Sequence, residues 1–294
     1  MSKKFLPILA ASLLLVSSCS LKDDTPVDST PVPVSVRVND FAVTQEEFPG
    51  TKATQSVADY EKIKAVTLAF YASDGTTKRY CSTQIKEDGT TYDTFGTFSL
   101  ELPAGEYTMI VLAYNSTIPV VFNSMTAVIF GEEKSHETLC HTQNVTVTKD
   151  SPLDISATLS RISTCLDIRS TDNRPEEVSF LRISLSKGGQ GFNPTTGKAT
   201  ADEGFSVSNQ PSSNVNAATH SSVHFFIASE DETMDVTIET LDNDRETIRS
   251  KTVTGVPFRS NRVTVLTGPL YAFGSPSGSF NVESGLDSDC NITF

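Results

Sequence analysis

The sequence predicts an all-β protein made of two tandem β-sandwiches. Residues 34–38 alternate valine with polar side chains. In residues 236–241, the apolar Val236, Ile238 and Leu241 alternate almost strictly with polar residues. This period of two is expected of a strand with one buried face. Turn-forming segments such as residues 73–75 and 103–105 separate the apolar runs. Many short strands with regular turns and no sustained helical periodicity are typical of β-sandwiches.

Residues 1–18 form a secretory signal peptide. Lys3 and Lys4 precede an apolar run of 12 residues, 5–16, which is too short to cross a bilayer because a spanning helix needs ~20 residues. Two serines are then followed at once by Cys19. This order resembles a bacterial lipoprotein signal, which implies cleavage before Cys19 and lipidation of its thiol and new amino group. Two or three acyl chains anchor a protein firmly. The alternative is a plain secretory signal that ends near a cysteine.

Residues 19–33 form a tether rich in proline and threonine. Proline-rich segments are extended and semi-rigid, so this one holds the folded body away from a membrane. Residues 20–24 resemble the acidic export signal that sends Bacteroidetes-type lipoproteins to the outer face of the outer membrane, although acidic residues also occur in ordinary linkers. Residues 28–30 resemble an O-glycosylation acceptor, which makes Ser29 a candidate site.

The acidic balance of the chain limits its partners. The net charge is -13, and removal of residues 1–18, which contain two lysines and no acids, makes it -15. Nucleic-acid binding is excluded on this basis because phosphates require a basic patch. With 37% apolar and 20% charged residues, the chain is globular rather than disordered.

The mature body suits two domains, which we place at residues 34–158 and 159–294. In the first, residues 66–71, 95–102, 107–114, 120–130 and 145–148 follow the opening strand as strand candidates. In the second, the candidates are residues 165–168, 180–185, 223–228, 235–241 and 262–267, with a short edge strand at 205–207 inside a long polar loop.

Four cysteines remain after Cys19, namely Cys81, Cys140, Cys165 and Cys290. An oxidising compartment and an even count favour disulfides, and four cysteines allow three pairings. Pairing within the two predicted domains gives Cys81–Cys140 and Cys165–Cys290. The absence of Cys-x-x-Cys spacing argues against a zinc or redox site.

No catalytic constellation is present in the sequence, so we predict neither an enzyme nor a cofactor. Nucleophile elbows, phosphate loops and dinucleotide fingerprints are missing. His220 and His224 are four residues apart, but their context predicts a strand, which argues against a metal site there. Acidic residues at 230–232 and 242–244 suit tight turns between strands better than calcium binding.

Three segments together resemble the fimbrillin superfamily of Bacteroidetes-type fimbriae. They are residues 63–75 (IKAVTLAFYASDG), 102–108 (LPAGEYT) and 256–268 (VPFRSNRVTVLTG). Residues 159–178, at the opening of the second half, also resemble the family. The order of the segments along the chain is more specific than any one of them.

The resemblance implies two transthyretin-like β-sandwich domains and assembly by strand exchange. In this family a protease removes the first strand of an exported lipoprotein, and a terminal strand of a neighbouring subunit fills the groove. Here the removable strand is residues 34–48, and the cleavage site is Lys52 or, alternatively, Arg37. The donor strand is residues 280–294, although a disulfide at Cys290 hinders its donation.

The predicted function is therefore a structural subunit, shaft or tip, of a surface-exposed fimbria at the cell outer membrane. Its partners are other fimbrial subunits and, through Cys19, the membrane. One alternative is a fimbrial anchor or accessory subunit that keeps its lipid and its first strand. Another is a monomeric surface lipoprotein that binds a glycan or a host protein.

Overall fold

The computed structural model describes residues 30–42, 54–55, 60–86, 94–132, 134–211, 214–272 and 281–286. These residues form twenty β-strands and no helix, which confirms the all-β prediction. The predicted signal peptide, Cys19, Ser29, Lys52 and Cys290 lie outside the described residues. We call described residues 30–161 the N-terminal half and residues 164–286 the C-terminal half.

Ten strands belong to the N-terminal half. They are β1 (Pro31–Ala42), β2 (Thr54–Gln55), β3 (Ala65–Ala72), β4 (Lys78–Ile85), β5 (Thr97–Pro103), β6 (Gly105–Tyr114), β7 (Val120–Ser124), β8 (Ala127–Phe130), β9 (Thr138–Val147) and β10 (Leu153–Arg161). The predicted domain boundary after residue 158 falls inside β10, so the two predicted domains stay a prediction.

Ten further strands belong to the C-terminal half. They are β11 (Thr164–Asn173), β12 (Phe180–Leu185), β13 (Phe192–Asn193), β14 (Lys198–Ala199), β15 (Phe205–Asn209), β16 (Ala218–Phe225), β17 (Asp231–Leu241), β18 (Thr247–Arg259), β19 (Val263–Gly268) and β20 (Asn281–Leu286).

The N-terminal half packs two layers of strands around one core. One layer has the order β5-β1-β10, with the short β2 at the end of β1, and the other has the order β4-β3-β6-β9. β10 also pairs with β9 at Ser160 and Arg161, which joins the layers at one corner. Alternate side chains from both layers point inward and form one apolar cluster, as the period-two pattern requires.

The C-terminal half has the same arrangement in two separate sheets. One sheet has the order β16-β11-β19-β20 and the other β15-β12-β17-β18. Their facing side chains form a second apolar cluster that includes Leu166, Ile168, Ile183 and Ile238. Each half therefore buries a core of its own in a sandwich-like fold.

The strand pairings of the two halves correspond in chain order. β1 runs parallel to β10 and antiparallel to β5, just as β11 runs parallel to β19 and antiparallel to β16. β3 lies between β4 and β6, and β6 pairs with β9; in the same way β12 lies between β15 and β17, and β17 pairs with β18. The same scheme of seven strands is thus repeated.

A small four-stranded sheet connects the halves. The hairpin β7–β8 lies between β6 and β9, and the hairpin β13–β14 lies between β12 and β15. These hairpins form a sheet of order β14-β13-β8-β7, in which Phe192 pairs with Val128. Phe192 also stacks on Phe226 at 4.5 Å between ring centroids, inside an apolar cluster that contains residues of both halves. This packing fixes the hairpins against each other.

Candidate functional site

The first strand, β1, lies in the middle of its layer. Its residues from Val34 to Phe41 pair with β10 from Leu153 to Leu159 in parallel. Its other edge pairs with β5, from Pro31 opposite Pro103 to Arg37 opposite Thr97. A segment close to the amino terminus therefore fills a position that two later strands enclose.

β1 is held in this position mainly by four valines. Val32, Val34, Val36 and Val38 are at most 4% exposed and belong to the core of the N-terminal half. Full burial of an apolar side chain contributes about 1.5–3 kcal/mol, so the four together contribute roughly 6–12 kcal/mol. The groove that receives them is lined by Phe98 and Leu102 of β5 and by Ile155, Ala157 and Leu159 of β10.

The opposite face of β1 is exposed. Pro31, Pro33 and Arg37 point outward from the core. The pairing with β10 begins only at Val34, so the prolines lie where β1 has a strand on one side alone. Proline lacks a backbone donor and is tolerated where a strand has an open side. Arg37, the alternative cleavage site, lies between Thr97 and Ser156 with both neighbouring strands in place, and this pairing restricts access to its peptide bond.

A turn and one side chain close the end of the groove. The backbone N–H of Val38 donates to the carbonyl of Gly96 at 2.8 Å. Gly96 has a φ of +87°, which favours glycine, and a Cβ there would lie 3.1 Å from the Val38 carbonyl oxygen. Gln84 of β4 accepts a hydrogen bond from the Gly96 N–H and donates one to the Thr97 carbonyl. These contacts connect the two layers beside β1.

A buried polar cluster lies at the junction between the halves. Glu137, 1% exposed, pairs with Arg161 at 2.6 Å and accepts a hydrogen bond from the Tyr60 hydroxyl at 3.3 Å. The Ser135 hydroxyl of the N-terminal half donates to the His224 carbonyl of β16 at 2.5 Å. The cluster thus joins the halves through polar contacts as well as apolar ones.

His224 is buried there without a hydrogen-bond partner for either ring nitrogen among the described residues. Burial, together with the nearby charge of Arg161, lowers the pKa of His224 to about 3. Burial likewise lowers the pKa of His136, although Glu132 at 2.7 Å opposes the shift. Both imidazoles are therefore neutral at pH 7. No local sequence signal identified this cluster, because its members lie far apart in the chain.

The predicted disulfide between Cys81 and Cys140 is wrong. Both are free cysteines, Cys81 exposed on β4 and Cys140 buried on β9. β3 and β6 lie between these strands, so the separation is about 14 Å at ~4.8 Å per strand, whereas a disulfide needs Cα atoms within ~7 Å. The Cys140 thiol instead donates to the Pro194 carbonyl at 3.3 Å, and burial raises its pKa to about 12.

Cys165 is disulfide-bonded, and its partner lies outside the described residues. Cys165 pairs with Val263 of β19, and Val263 pairs with Leu286, the last residue of β20. Cys290 follows four residues later in the sequence. The pairing of Cys165 with Cys290 therefore stays a prediction, and the end of β20 lies close enough to allow it.

The other candidate residues are not brought together. In the described part of the chain, no three His, Cys, Asp or Glu side chains lie together as a possible metal site. His141 contacts the Thr158 carbonyl and Gln143, and His220 contacts the carboxylate of Asp167. Within the described residues, no helix has the length and apolar character needed to cross a membrane.

Known proteins share this fold. A crystal structure of a "putative adhesin" from Bacteroides ovatus superposes with a TM-score of 0.51 at 11% identity, covering 87% of this chain and 94% of that one. The fimbrial anchor protein Mfa2 from Porphyromonas gingivalis superposes with a TM-score of 0.50 at 10% identity, covering 86% of this chain and 97% of that one. The resemblance to fimbrial proteins of Bacteroidetes is thereby confirmed at the level of the fold.

Sequence comparison assigns the chain to a family. A search of curated proteins finds no match. A model of a family of unknown function, DUF6562, matches residues 29–293, which is most of the chain. The chain therefore belongs to the DUF6562 family of unknown function.

Proposed function

We propose that this protein is a subunit of a cell-surface fimbria, exported as a lipoprotein through Cys19, and that β1 is its exchangeable strand. One observation carries the proposal: β1 is the first strand of the fold and fills a groove between two later strands with four buried valines. The fold shared with a fimbrial anchor protein supports it. In this proposal the two halves are transthyretin-like domains in tandem.

The connection of β1 to the rest of the fold explains how exchange would work. β1 ends at Ala42, and the described chain resumes at Thr54 in β2, so residues 43–53 with Lys52 form the link. A cut after Lys52 leaves β1 held only by non-covalent contacts. A strand from a neighbouring subunit with the same alternation would then restore the backbone pairing and the buried side chains.

A second function, an anchor or accessory subunit that keeps β1, is favoured by the other end of the chain. β20 is paired with β19 in its own half from Asn281 to Leu286. A disulfide between Cys165 and Cys290 would fix the tail to that half. A fixed tail is not available to fill a groove in another subunit, so such a subunit would end a fibre rather than extend it.

Mass spectrometry on native outer membranes can separate these functions, because it determines the amino terminus and the lipid state of the mature protein. A chain that begins at Ala53, without lipid, in sheared fibres supports the shaft or tip function. A chain that begins at acylated Cys19 and stays with the membrane supports the anchor. A secreted chain without lipid that retains residues 19–42 would contradict both. The intact mass also tests Ser29, since the absence of added hexose excludes glycosylation.

Three variants test the proposal further. Lys52→Gln should leave the chain unprocessed, while the matched variant Arg37→Gln should be processed normally. The reverse pattern would move the cleavage site into β1. Deletion of residues 291–294 should abolish polymer without preventing folding if the tail is the donor strand, and normal polymer from this variant would exclude the donor function.

A further inference from the structure

The outer face of the sheet β14-β13-β8-β7 carries a cluster of exposed apolar side chains. Within the described residues, four large apolar side chains are exposed, and three of them lie in or just before the hairpin β7–β8, namely Ile118, Val121 and Ile129. They are 43%, 45% and 40% exposed. The inner face of the same hairpin is buried in the apolar cluster that contains residues of both halves. Antiparallel strands with one buried face usually turn polar side chains to the solvent, so this hairpin departs from the pattern.

These side chains form one continuous surface. Val121 and Ile129 lie directly opposite each other in the antiparallel pair of β7 and β8. Ile118 lies over Gly131, where a Cβ would be only 2.9 Å from the Ile118 Cγ2 atom. Ile129 lies over Gly191 in the same way, at 3.1 Å, so both glycines let an isoleucine lie close to the backbone. We call Ile118, Val121, Ile129, Gly131 and Gly191 the hairpin patch.

The segments that form this sheet carry almost no charge. Residues 107–131 and 188–197 contain no Asp, Glu, Lys or Arg, although 20% of the whole chain is charged. In the four described strands of the sheet, the only charged residue is Lys198, which pairs with Glu230 at 3.0 Å. The hairpin patch is thus an uncharged surface on a chain whose net charge is -13.

The absence of charge in the patch indicates the kind of partner that fits it. A basic protein is attracted to acidic side chains, and the hairpin patch offers none. Surfaces that lie on lipid combine large apolar side chains with Lys or Arg, and the patch also lacks these. A second copy of this chain is different, because like charges placed opposite each other in an interface strongly disfavour association. Two copies of this acidic chain therefore meet best where both surfaces are uncharged.

We propose that the hairpin patch is the contact surface of a weak symmetric dimer of this chain, in which the patch of one copy packs against the patch of the other. A two-fold contact uses the same residues on both copies. Exposed apolar patches of single proteins reach roughly a few hundred Å², whereas a stable interface buries about 800 Å² per partner. The dimer should therefore form at high protein concentration, in equilibrium with monomer. β1 stays in its groove in both copies, so this contact does not depend on strand exchange.

Sedimentation equilibrium of the mature chain without lipid tests the dimer. Every form carries Cys81→Ser, which prevents disulfide-linked dimers through the exposed thiol. Val121→Lys is compared with Val215→Lys, a residue that is 38% exposed in the turn before β16. Both substitutions raise the net charge by one, so they differ in position alone. Val121→Lys should weaken dimerisation about tenfold or more, because it places like charges in the contact, and Val215→Lys should not weaken it.

Two further measurements test the character of the contact. Salt screens the net repulsion between two acidic copies, so dimerisation of the unsubstituted patch should strengthen as the salt concentration rises. A mixture of Val121→Lys and Val121→Glu chains should form mixed dimers more readily than either variant forms its own dimer. The reason is that opposite charges then meet within one small symmetric contact.

Three results would overturn the proposal. The first is a chain that stays monomeric at every concentration and salt. The second is dimerisation that Val121→Lys leaves unchanged, or mixed dimers that form no more readily than the others, since the contact would then lie elsewhere or be asymmetric. The third is binding of the monomer to phosphatidylcholine vesicles that Val121→Lys abolishes and Val215→Lys preserves, which would assign the hairpin patch to a lipid surface.

Discussion

The two halves share one pairing scheme but differ in how their strands are tied into the chain. In the C-terminal half, β11 is joined to β10 by residues 162–163 and to β12 by residues 174–179, so both of its ends are short connections within the fold. In the N-terminal half, the equivalent strand β1 is the first described strand, and residues 43–53 join it to β2. The same position in the sandwich is thus occupied by a strand with short connections on both sides in one half and by the first described strand in the other.

This difference bears on the proposed strand exchange. Release of β1 would need a single cut within residues 43–53, whereas release of β11 would need cuts in both of its connections, residues 162–163 and 174–179. At the neighbouring edge, β20 pairs with β19 from Asn281 to Leu286, whereas β9 pairs with β10 only at Ser160 and Arg161.

The largest expected effect comes from a charge placed in the groove under β1. Val36→Asp buries an unpaired carboxylate at a position that is fully buried, so we expect a loss of more than about 4 kcal/mol. Arg37→Asp, one residue away on the exposed face, is the control and should cost less than about 1 kcal/mol. Hydrogen exchange should show β3 and β6 exposed while β12 and β17 stay protected. Equal free energies of unfolding for the two variants would contradict the conclusion that the buried face of β1 stabilises the N-terminal half.

The next effect concerns the junction and depends on pH. The pKa of His224 falls from its usual 6.5 to about 3 on folding, so the unfolded chain binds the proton more tightly. Stability is then fully present above pH 6.5 and is lost as the pH falls toward 3. Between pH 8 and pH 5, the titration of this single group should lower the free energy of unfolding by about 2 kcal/mol. Denaturant titrations at both pH values should show this loss.

His224→Gln, measured beside the half-buried control His141→Gln, identifies the group responsible. The pH dependence should weaken in the first variant and persist in the second. His136 contributes in the same direction, since burial also lowers its pKa. A stability that is equally pH-dependent in His224→Gln and in the wild type would contradict the assignment.

A smaller effect compares one glycine of positive φ in each half, Gly96 in a turn and Gly255 within β18. Gly96 and Gly255 both have positive φ, +87° and +66°, but only Gly96 has a close backbone neighbour, the Val38 carbonyl oxygen. We expect Gly96→Ala to cost about 2 kcal/mol and Gly255→Ala about 1 kcal/mol, because the second substitution carries backbone strain without a close contact. Thermal unfolding of both variants measures the difference, and a larger loss for Gly255→Ala would contradict it.

The smallest effect concerns the free thiols of the N-terminal half. Alkylation of the native protein should modify exposed Cys81 and spare Cys140, which is buried and has a pKa raised to about 12. Unfolding without reduction should make Cys140 reactive and leave Cys165 unmodified. Cys81→Ser should change stability by less than about 0.5 kcal/mol. Isolation of a Cys81–Cys140 peptide pair would overturn the strand order described here.

Sequence patterns located strands well where alternation and turns coincide. β12 spans residues 180–185 as predicted, and β6 extends the predicted apolar run by two residues. β18 was missed because Gly255 and Pro257 interrupt it, yet both are accommodated in the strand. Residues 153–159 of β10 alternate regularly and could have been predicted as a strand. The domain boundary predicted after residue 158 divided this segment, so the strand was missed.

The pairings between distant strands could not be predicted from the sequence. Nothing local indicates that β1 runs parallel to β10 or that β3 and β6 separate Cys81 from Cys140, since these facts depend on how the whole chain folds. The buried cluster of Glu137, Arg161 and His224 is assembled in the same way. Local patterns therefore predicted which residues form strands, and the fold decided which residues meet.

The parallel pairing of β1 with β10 has a mechanical consequence. A pull applied between residue 30 and residue 164 acts on the amino end of β1 and the carboxyl end of β10, which are opposite ends of two parallel strands. The load then runs along the strands in shear, from the Val34–Leu153 pair to the Phe41–Leu159 pair, and all the hydrogen bonds between them share it. An antiparallel pair loaded at one end would open bond by bond. If the chain is tethered at its amino end, as proposed, the N-terminal half would thus resist the tension that the tether transmits.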